Sequence, residues 1–227
     1  MVKAFESNCS NLIFTMNFTA SAFKRNIGAQ PSVSAIAVDG QNVVTSHLGD
    51  HIDIRAGATN RGGYAEATGL NNSTVSTLSG DDFVRIQAHA RGRSTNAWAL
   101  HNSTLNVGPG NDTIELRAST RAGAWDPAYG VDSSSVLTGP GMDRLRIHAS
   151  ARGNTTDTIA AFGVLNSVIN TGADNDIVMI RAHAANRRGY AEATGLKNSV
   201  LQTEGGDDVV RIGAHARGRS TNAWALH

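Results

Sequence analysis

An aspartate returns about every 31 residues along this 227-residue chain, each time between a glycine-containing turn and a run of alternating apolar residues. The six members are Asp50, Asp82, Asp112, Asp143, Asp176 and Asp208. A repeat of this length indicates an array of stacked units, in which equivalent residues form columns. Carboxylates in a column can bind cations or accept hydrogen bonds in turns, so these are the two kinds of chemistry to weigh.

Stacking brings the six carboxylates close together, at ~4.8 Å per unit if the units pair as strands. Carboxylates at that spacing repel one another unless they are neutralised, which favours a file of calcium ions along one edge. The alternative is metal-free, because Asp commonly accepts hydrogen bonds from the amides of its own turn. The sequence leaves both open.

A second set of columns is basic. Three of its members lie on consecutive units and could contact a polyanion such as an acidic polysaccharide: Arg117, Arg146 and Arg181. The alternative is a solvated sheet face with cross-strand ion pairs. His183 and His215 should also lie on adjacent units, and two histidines alone are weak evidence for a metal.

Three aromatic residues also fall on consecutive units, namely Trp98, Tyr129 and Phe162. The positions on either side of each ring hold only Ala or Gly. Small residues suit a narrow interior, which predicts that the rings point outward as a platform for sugars or for self-association. If the inward and outward positions are reversed, the rings belong to the core.

The elements that carry these columns read as strands. Each unit contains three segments with period-2 alternation, bounded by Gly, Asn and Ser, and no helical spacing is visible. We therefore predict an all-β parallel β-solenoid (β-helix) of about six coils of 30–33 residues, with three strands per coil. The third segment ends in Ala and the first begins with Ala, so the cross-section should be narrow at that end and wide at the Val/Ile/Leu end.

We predict that residues 1–33 form an N-terminal capping coil and that residues 34–227 form the repeat domain. Phe14, Met16 and Phe18 alternate with polar residues as the later units do, although Lys3 and the apolar stretch around Ile13 also resemble a cleaved export signal. Residues 60–101 and 186–227 are nearly the same sequence, which suggests a fragment of a longer array.

Composition narrows the possible partners. The net charge of +1 gives no bulk field toward nucleic acid or membranes. No apolar run approaches the ~20 residues of a membrane-spanning helix. A single cysteine, Cys9, excludes an internal disulfide framework.

Two turns carry a recognisable motif. Residues 108–114 read Gly-Pro-Gly-Asn-Asp-Thr-Ile, and residues 139–145 read Gly-Pro-Gly-Met-Asp-Arg-Leu. They resemble the G-G-x-G-x-D-x-U-x nonapeptide of hemolysin-type (RTX) calcium-binding repeats. The resemblance implies calcium held between coils by turn carbonyls and the Asp carboxylates, in a secreted or cell-surface bacterial repeat protein. It covers one turn per coil, and the repeat of about 31 residues departs from the family's nonapeptide.

These features favour a non-enzymatic structural repeat module of a secreted or cell-surface protein, stabilised by calcium if the carboxylate file binds it. The alternatives are a carbohydrate-binding adhesin module that uses the aromatic platform, and a polysaccharide-active β-helix enzyme. An enzyme needs a cluster of charged groups outside the repeated columns, usually on inserted loops. The near-constant unit length leaves little room for such loops.

Overall fold

The computed structural model describes residues 17–26 and 32–227, and every regular element in this part of the chain is a strand. The first nine are β1 (Asn17–Asn26), β2 (Ser32–Asp39), β3 (Asn42–Val44), β4 (His51–Asn71), β5 (Thr74–Ser76), β6 (Phe83–His101), β7 (Thr104–Asn106), β8 (Thr113–Ala122) and β9 (Asp126–Asp132). The next nine are β10 (Ser135–Leu137), β11 (Arg144–Gly153), β12 (Ile159–Leu165), β13 (Val168–Asn170), β14 (Ile177–Asn186), β15 (Tyr190–Lys197), β16 (Val200–Gln202), β17 (Val209–Arg217) and β18 (Ser220–Leu226).

The strands stack as a parallel solenoid of about six coils, which confirms the predicted fold class. We number coils 1 to 6 by the strands that open them: β4, β6, β8, β11, β14 and β17. All strand pairs in the described residues are parallel, and equivalent residues of successive coils face one another, as Leu116, Ile147 and Ile180 do. Each aspartate of the repeat therefore lies in one column, because the pairing keeps one register along the array.

Coils 1 to 5 each have three strand segments, as predicted, and coil 6 has two, β17 and β18. The described strands form two hydrogen-bonded sheets. The short segments β3, β5, β7, β10, β13 and β16 form a six-stranded sheet. The other two segments of each coil share a 12-stranded sheet. They are joined because β4 and β6 continue through the corner of the coil without a break.

The interior has a wide aliphatic end and a narrow alanine end, as the repeat pattern predicted. One buried cluster consists almost entirely of Val, Ile and Leu, and the other almost entirely of Ala. Gly130 shows how little space is left there, since a Cβ atom would clash with the Ile147 side chain and lie 2.5 Å from the carbonyl oxygen of Gly163 in the next coil. A larger residue at this point would push adjacent coils apart.

The N-terminal strand continues the stack. Phe18, Ala20 and Ala22 pair in register with apolar residues of β4. Residues 1–16 and 27–31 lie outside the described residues, so the division into a cap of residues 1–33 and a repeat domain stays a prediction. In the described ranges, no helix could cross a membrane.

Candidate functional site

The aspartate column lies inside the solenoid. Asp82, Asp112, Asp143 and Asp176 are at most 3% exposed, and Asp50 is also buried. Asp208, in the last coil, is partly buried. The carboxylates therefore face the interior at the point where each coil turns into its long strand.

These carboxylates link successive coils by hydrogen bonds. In the last five members, Oδ1 accepts from the backbone N–H of the aspartate one coil earlier, as in the 2.7 Å bond from Asp82 N to Asp112 Oδ1. The other four bonds of this ladder are 2.6 to 2.9 Å long. The predicted bond to an amide of the same turn is present at Asp50, which accepts from Ser46 N at 2.9 Å. The column therefore continues backbone pairing through a turn that would otherwise interrupt it.

The second carboxylate oxygen is costly to bury. The Oδ2 atoms of four members have no hydrogen-bond partner: Asp82, Asp112, Asp143 and Asp176. Burial raises the pKa of Asp82 and of Asp143 to about 6, and that of Asp112 to about 8. Desolvation favours the neutral form of a carboxyl group, so the middle of the column holds protons well above the ordinary range for Asp.

Burial is the largest cause of the high pKa of Asp112, and a gap in a neighbouring column adds to the difference from Asp82 and Asp143. Thr77 and Thr138 lie beside Asp82 and Asp143 and partly offset the effect of burial on their pKa values. The equivalent residue beside Asp112 is Val107, which offers no hydroxyl. The Asp112 carboxylate consequently has less polar stabilisation than its neighbours, and its pKa rises further.

The same geometry bears on calcium. Ca²⁺ takes about 6–8 oxygen ligands. The carboxylates of Asp82, Asp112, Asp143 and Asp176 each offer one uncommitted oxygen. Turn carbonyls such as those of Pro109 and Pro140 already accept hydrogen bonds from Gly80 and Gly110. No group of three His, Cys, Asp or Glu side chains that could hold a metal occurs in the described part of the chain. Calcium binding stays a prediction from the turn motif.

A serine ladder, which sequence reasoning missed, lies at the corner that precedes each short strand. The hydroxyl of Ser134 accepts from Ser103 N at 3.0 Å and donates to Asp132 O at 2.7 Å. Ser73, Ser103, Ser167 and Ser199 belong to the same ladder. The repeated Ser two residues before an apolar position was the available signal.

The aromatic residues form an outward ladder. The rings of Trp98 and Tyr129 stack with centroids 5.4 Å apart at 7°, and those of Tyr129 and Phe162 with centroids 5.3 Å apart at 11°. All three side chains are half-buried, whereas the flanking Ala97 and Ala99 are fully buried. The outer edges of the rings make an aromatic strip along the solenoid.

The three predicted basic residues lie on the outer face of the long strands, and an acidic residue engages two of them. Glu115 lies 3.5 Å from Arg117 and 3.8 Å from Arg146, and it also contacts Arg85 at 3.3 Å. Arg181 is exposed beside His148. Arg117 and Arg146 therefore form the ion pairs that were the alternative to a polyanion site.

A groove of about 1260 Å³ runs beside these residues. Most of its basic side chains were not among the candidate site residues predicted from the sequence. We call it the basic groove and define it by nine lining side chains: His89, Arg121, His148, Arg152, His183, Arg187, His215, Arg217 and Arg219. No acidic residue is among the lining residues. The signal available in the sequence was the arginine that recurs just before the corner loop of several coils. The predicted neighbours His183 and His215 stack here with centroids 5.3 Å apart.

Asp126 is a buried acid outside the repeated aspartate column. It lies in the alanine end of the core, is fully buried, and accepts a hydrogen bond from the hydroxyl of Thr95. Burial raises its pKa to about 7. The equivalent residues of adjacent coils are Thr95 and Ile159, so alternation marked the position as inward without indicating an acid.

No family model, curated protein or solved structure matches the chain. The fold and its ladders define the class, a parallel β-solenoid repeat protein. The likeness of two turns to RTX repeats remains a likeness of motifs.

Proposed function

We propose that this chain is a non-enzymatic structural module, a rigid stack that presents columns of side chains at one-coil spacing. The observation that carries the proposal is the inter-coil bonding: backbone pairing, the aspartate ladder and the serine ladder together join successive coils. Each coil then stabilises mainly its neighbours, which is the energetic pattern of an extended scaffold.

Removing one whole period tests this proposal. Deleting residues 113–143 removes coil 3 and lets Asp112 run directly into the strand of coil 4. We expect a folded, shorter solenoid, reduced in length by ~4.8 Å, with the same strand content by circular dichroism. Deleting residues 113–127 removes half a period and should unfold the stack. If both deletions unfold the protein, coils are not modular units.

The enzyme alternative has a direct test. Incubation with neutral and acidic polysaccharides should release no new reducing ends or unsaturated products. Turnover that survives repurification, and is lost on substitution of a groove residue, would replace the scaffold proposal with catalysis.

Location and calcium belong to the same proposal. The resemblance of the Gly-Pro-Gly turns to RTX repeats supports a secreted or cell-surface setting and a role for calcium in stability. Melting curves with calcium and with chelator decide the second point.

The aromatic strip supports a second candidate function, that of a carbohydrate-binding adhesin. Stacked rings with exposed edges give sugars an apolar platform. Trp98→Ala should weaken binding to a glycan found on an array at least tenfold, whereas Trp125→Ala, which removes a ring that is 52% exposed in a corner loop, should not. Equal effects of the two substitutions would show that glycan binding does not use the aromatic strip. Concentration-dependent dimers lost in Trp98→Ala would instead indicate self-association.

A further inference from the structure

The basic groove concentrates unpaired positive charge. Its five arginines, Arg121, Arg152, Arg187, Arg217 and Arg219, are all exposed. Among the described residues, none of the five forms an ion pair, whereas Arg85, Arg117 and Arg146 on the neighbouring strip of the sheet share Glu115. Although the net charge of the protein is only +1, the charged side chains that line this groove are all basic.

The cations form rows along the solenoid axis. Arg121 and Arg152 pair in register, and the same row holds Ala185 and Arg217 in the next two coils. Arg187, two residues after Ala185, also lines the groove. A parallel row holds His89, Ser119, Ser150, His183 and His215. The groove thus has an arginine in each of coils 3 to 6, a span of ~14 Å at ~4.8 Å per coil, and His89 extends it to coil 2.

We propose that the basic groove binds a linear anionic polysaccharide that carries one carboxylate per sugar unit, with the chain lying along the solenoid axis. The coil spacing is close to the length of one sugar unit in an extended polysaccharide, so the carboxylates that face the groove lie at multiples of the coil spacing. Arginine suits this ligand because its planar guanidinium group can bind a carboxylate with two parallel hydrogen bonds. The proposal concerns a different surface from the aromatic strip and does not depend on the scaffold function.

Nucleic acid is the rival polyanion, and the lining disfavours it. Surfaces that bind single strands combine cations with aromatic side chains on which bases stack. The groove is lined by no Trp, Tyr or Phe. The chain's stacked Trp98, Tyr129 and Phe162 rings lie on another strand segment of the coil.

The histidines should make binding depend on pH. Reduced hydration lowers the pKa of His148, and Arg117, His183, Arg181 and Arg152 lower it further. The pKa of His183 is lowered in the same way by burial, Arg152 and His215. A polyanion favours the protonated rings, so binding should strengthen as pH falls from 8 to about 5.5, where uronate carboxylates are still ionised.

Binding of a ten-residue oligogalacturonate, measured by calorimetry, tests the proposal. Arg121→Ala combined with Arg152→Ala should weaken binding at least tenfold. Arg144→Ala combined with Arg211→Ala is the matched control, because it removes two exposed arginines outside the groove and gives the same net charge. We expect less than a twofold change there. Affinity should rise with oligomer length and level off near five or six sugars, since five coils line the groove.

Four results would overturn the proposal: no binding of the oligogalacturonate, equal weakening in both double variants, equal binding of its neutral methyl ester, or tighter binding of a single-stranded oligothymidylate of the same length. Folding of each variant is checked by circular dichroism. If the chain is a scaffold that binds no polysaccharide, it will still fold after removal of coil 3 but will not bind the oligogalacturonate. The two proposals can therefore fail independently.

Discussion

Replacing Ile147 with aspartate should unfold at least the coils around it. Ile147 is 1% exposed and lies in register between Leu116 and Ile180 in the aliphatic end of the core. An aspartate there would bury a carboxylate without a partner. We expect this to lower the free energy of unfolding by more than about 4 kcal/mol. That loss is comparable with the total stability of a typical domain, about 5–15 kcal/mol. Urea unfolding followed by circular dichroism measures it.

The neighbouring Arg146→Ala is the control for this prediction. Its side chain is 46% exposed and reaches Glu115 only at 3.8 Å, so the variant should lose less than ~1 kcal/mol. If Ile147→Asp does not express, Ile147→Ala should still cost about 2–5 kcal/mol. Similar losses at positions 146 and 147 would contradict the inward and outward assignment.

Replacing Asp112 with asparagine should stabilise the protein at high pH. Burial raises the pKa of Asp112 from 3.8 to about 8. Between these values the folded state holds a proton that the unfolded chain has lost, so wild-type stability falls as pH rises through this window. An asparagine side chain does not titrate, and its oxygen can still accept from Asp82 N. The variant should therefore match wild type near pH 4 and exceed it at pH 9 by at least ~1.4 kcal/mol, the value of one pKa unit.

Asp143→Asn is the comparison, because the pKa of Asp143 reaches only about 6 and the gain should be smaller. Denaturant unfolding of the three proteins at pH 4, 6 and 9 gives the result. Equal pH profiles for wild type and Asp112→Asn would show that Asp112 is not held protonated.

Calcium predicts the opposite outcome for the same variant. An ion bound at this column would stabilise wild type by ~2.7 kcal/mol per site at a hundredfold excess over Kd, and Asp112→Asn would lose part of that gain. Melting curves of wild type with millimolar calcium and with excess chelator separate the two accounts. Curves that superimpose would eliminate the calcium file.

The repeat pattern was sufficient to predict the solenoid and the direction of most side chains. The alternation around Ile147 placed it inside and Arg146 outside, because successive side chains of a strand point to opposite faces. The alanines at the ends of the first and third segments likewise predicted the narrow end of the core. These properties are local and repeated, so every coil provides independent evidence for the same geometry.

Only the tertiary structure decided how the columns are used. In the stack, the Asp112 carboxylate accepts a hydrogen bond from the amide of Asp82 in the preceding coil instead of from its own turn. Stacking also buries its second oxygen. Asp126 occupies a position that is Thr or Ile in adjacent coils. The basic groove joins strand residues such as Arg152 to corner residues such as Arg187 on different coils. These outcomes depend on contacts between residues about 30 positions apart, whose distances are set by the closure and stacking of the coils.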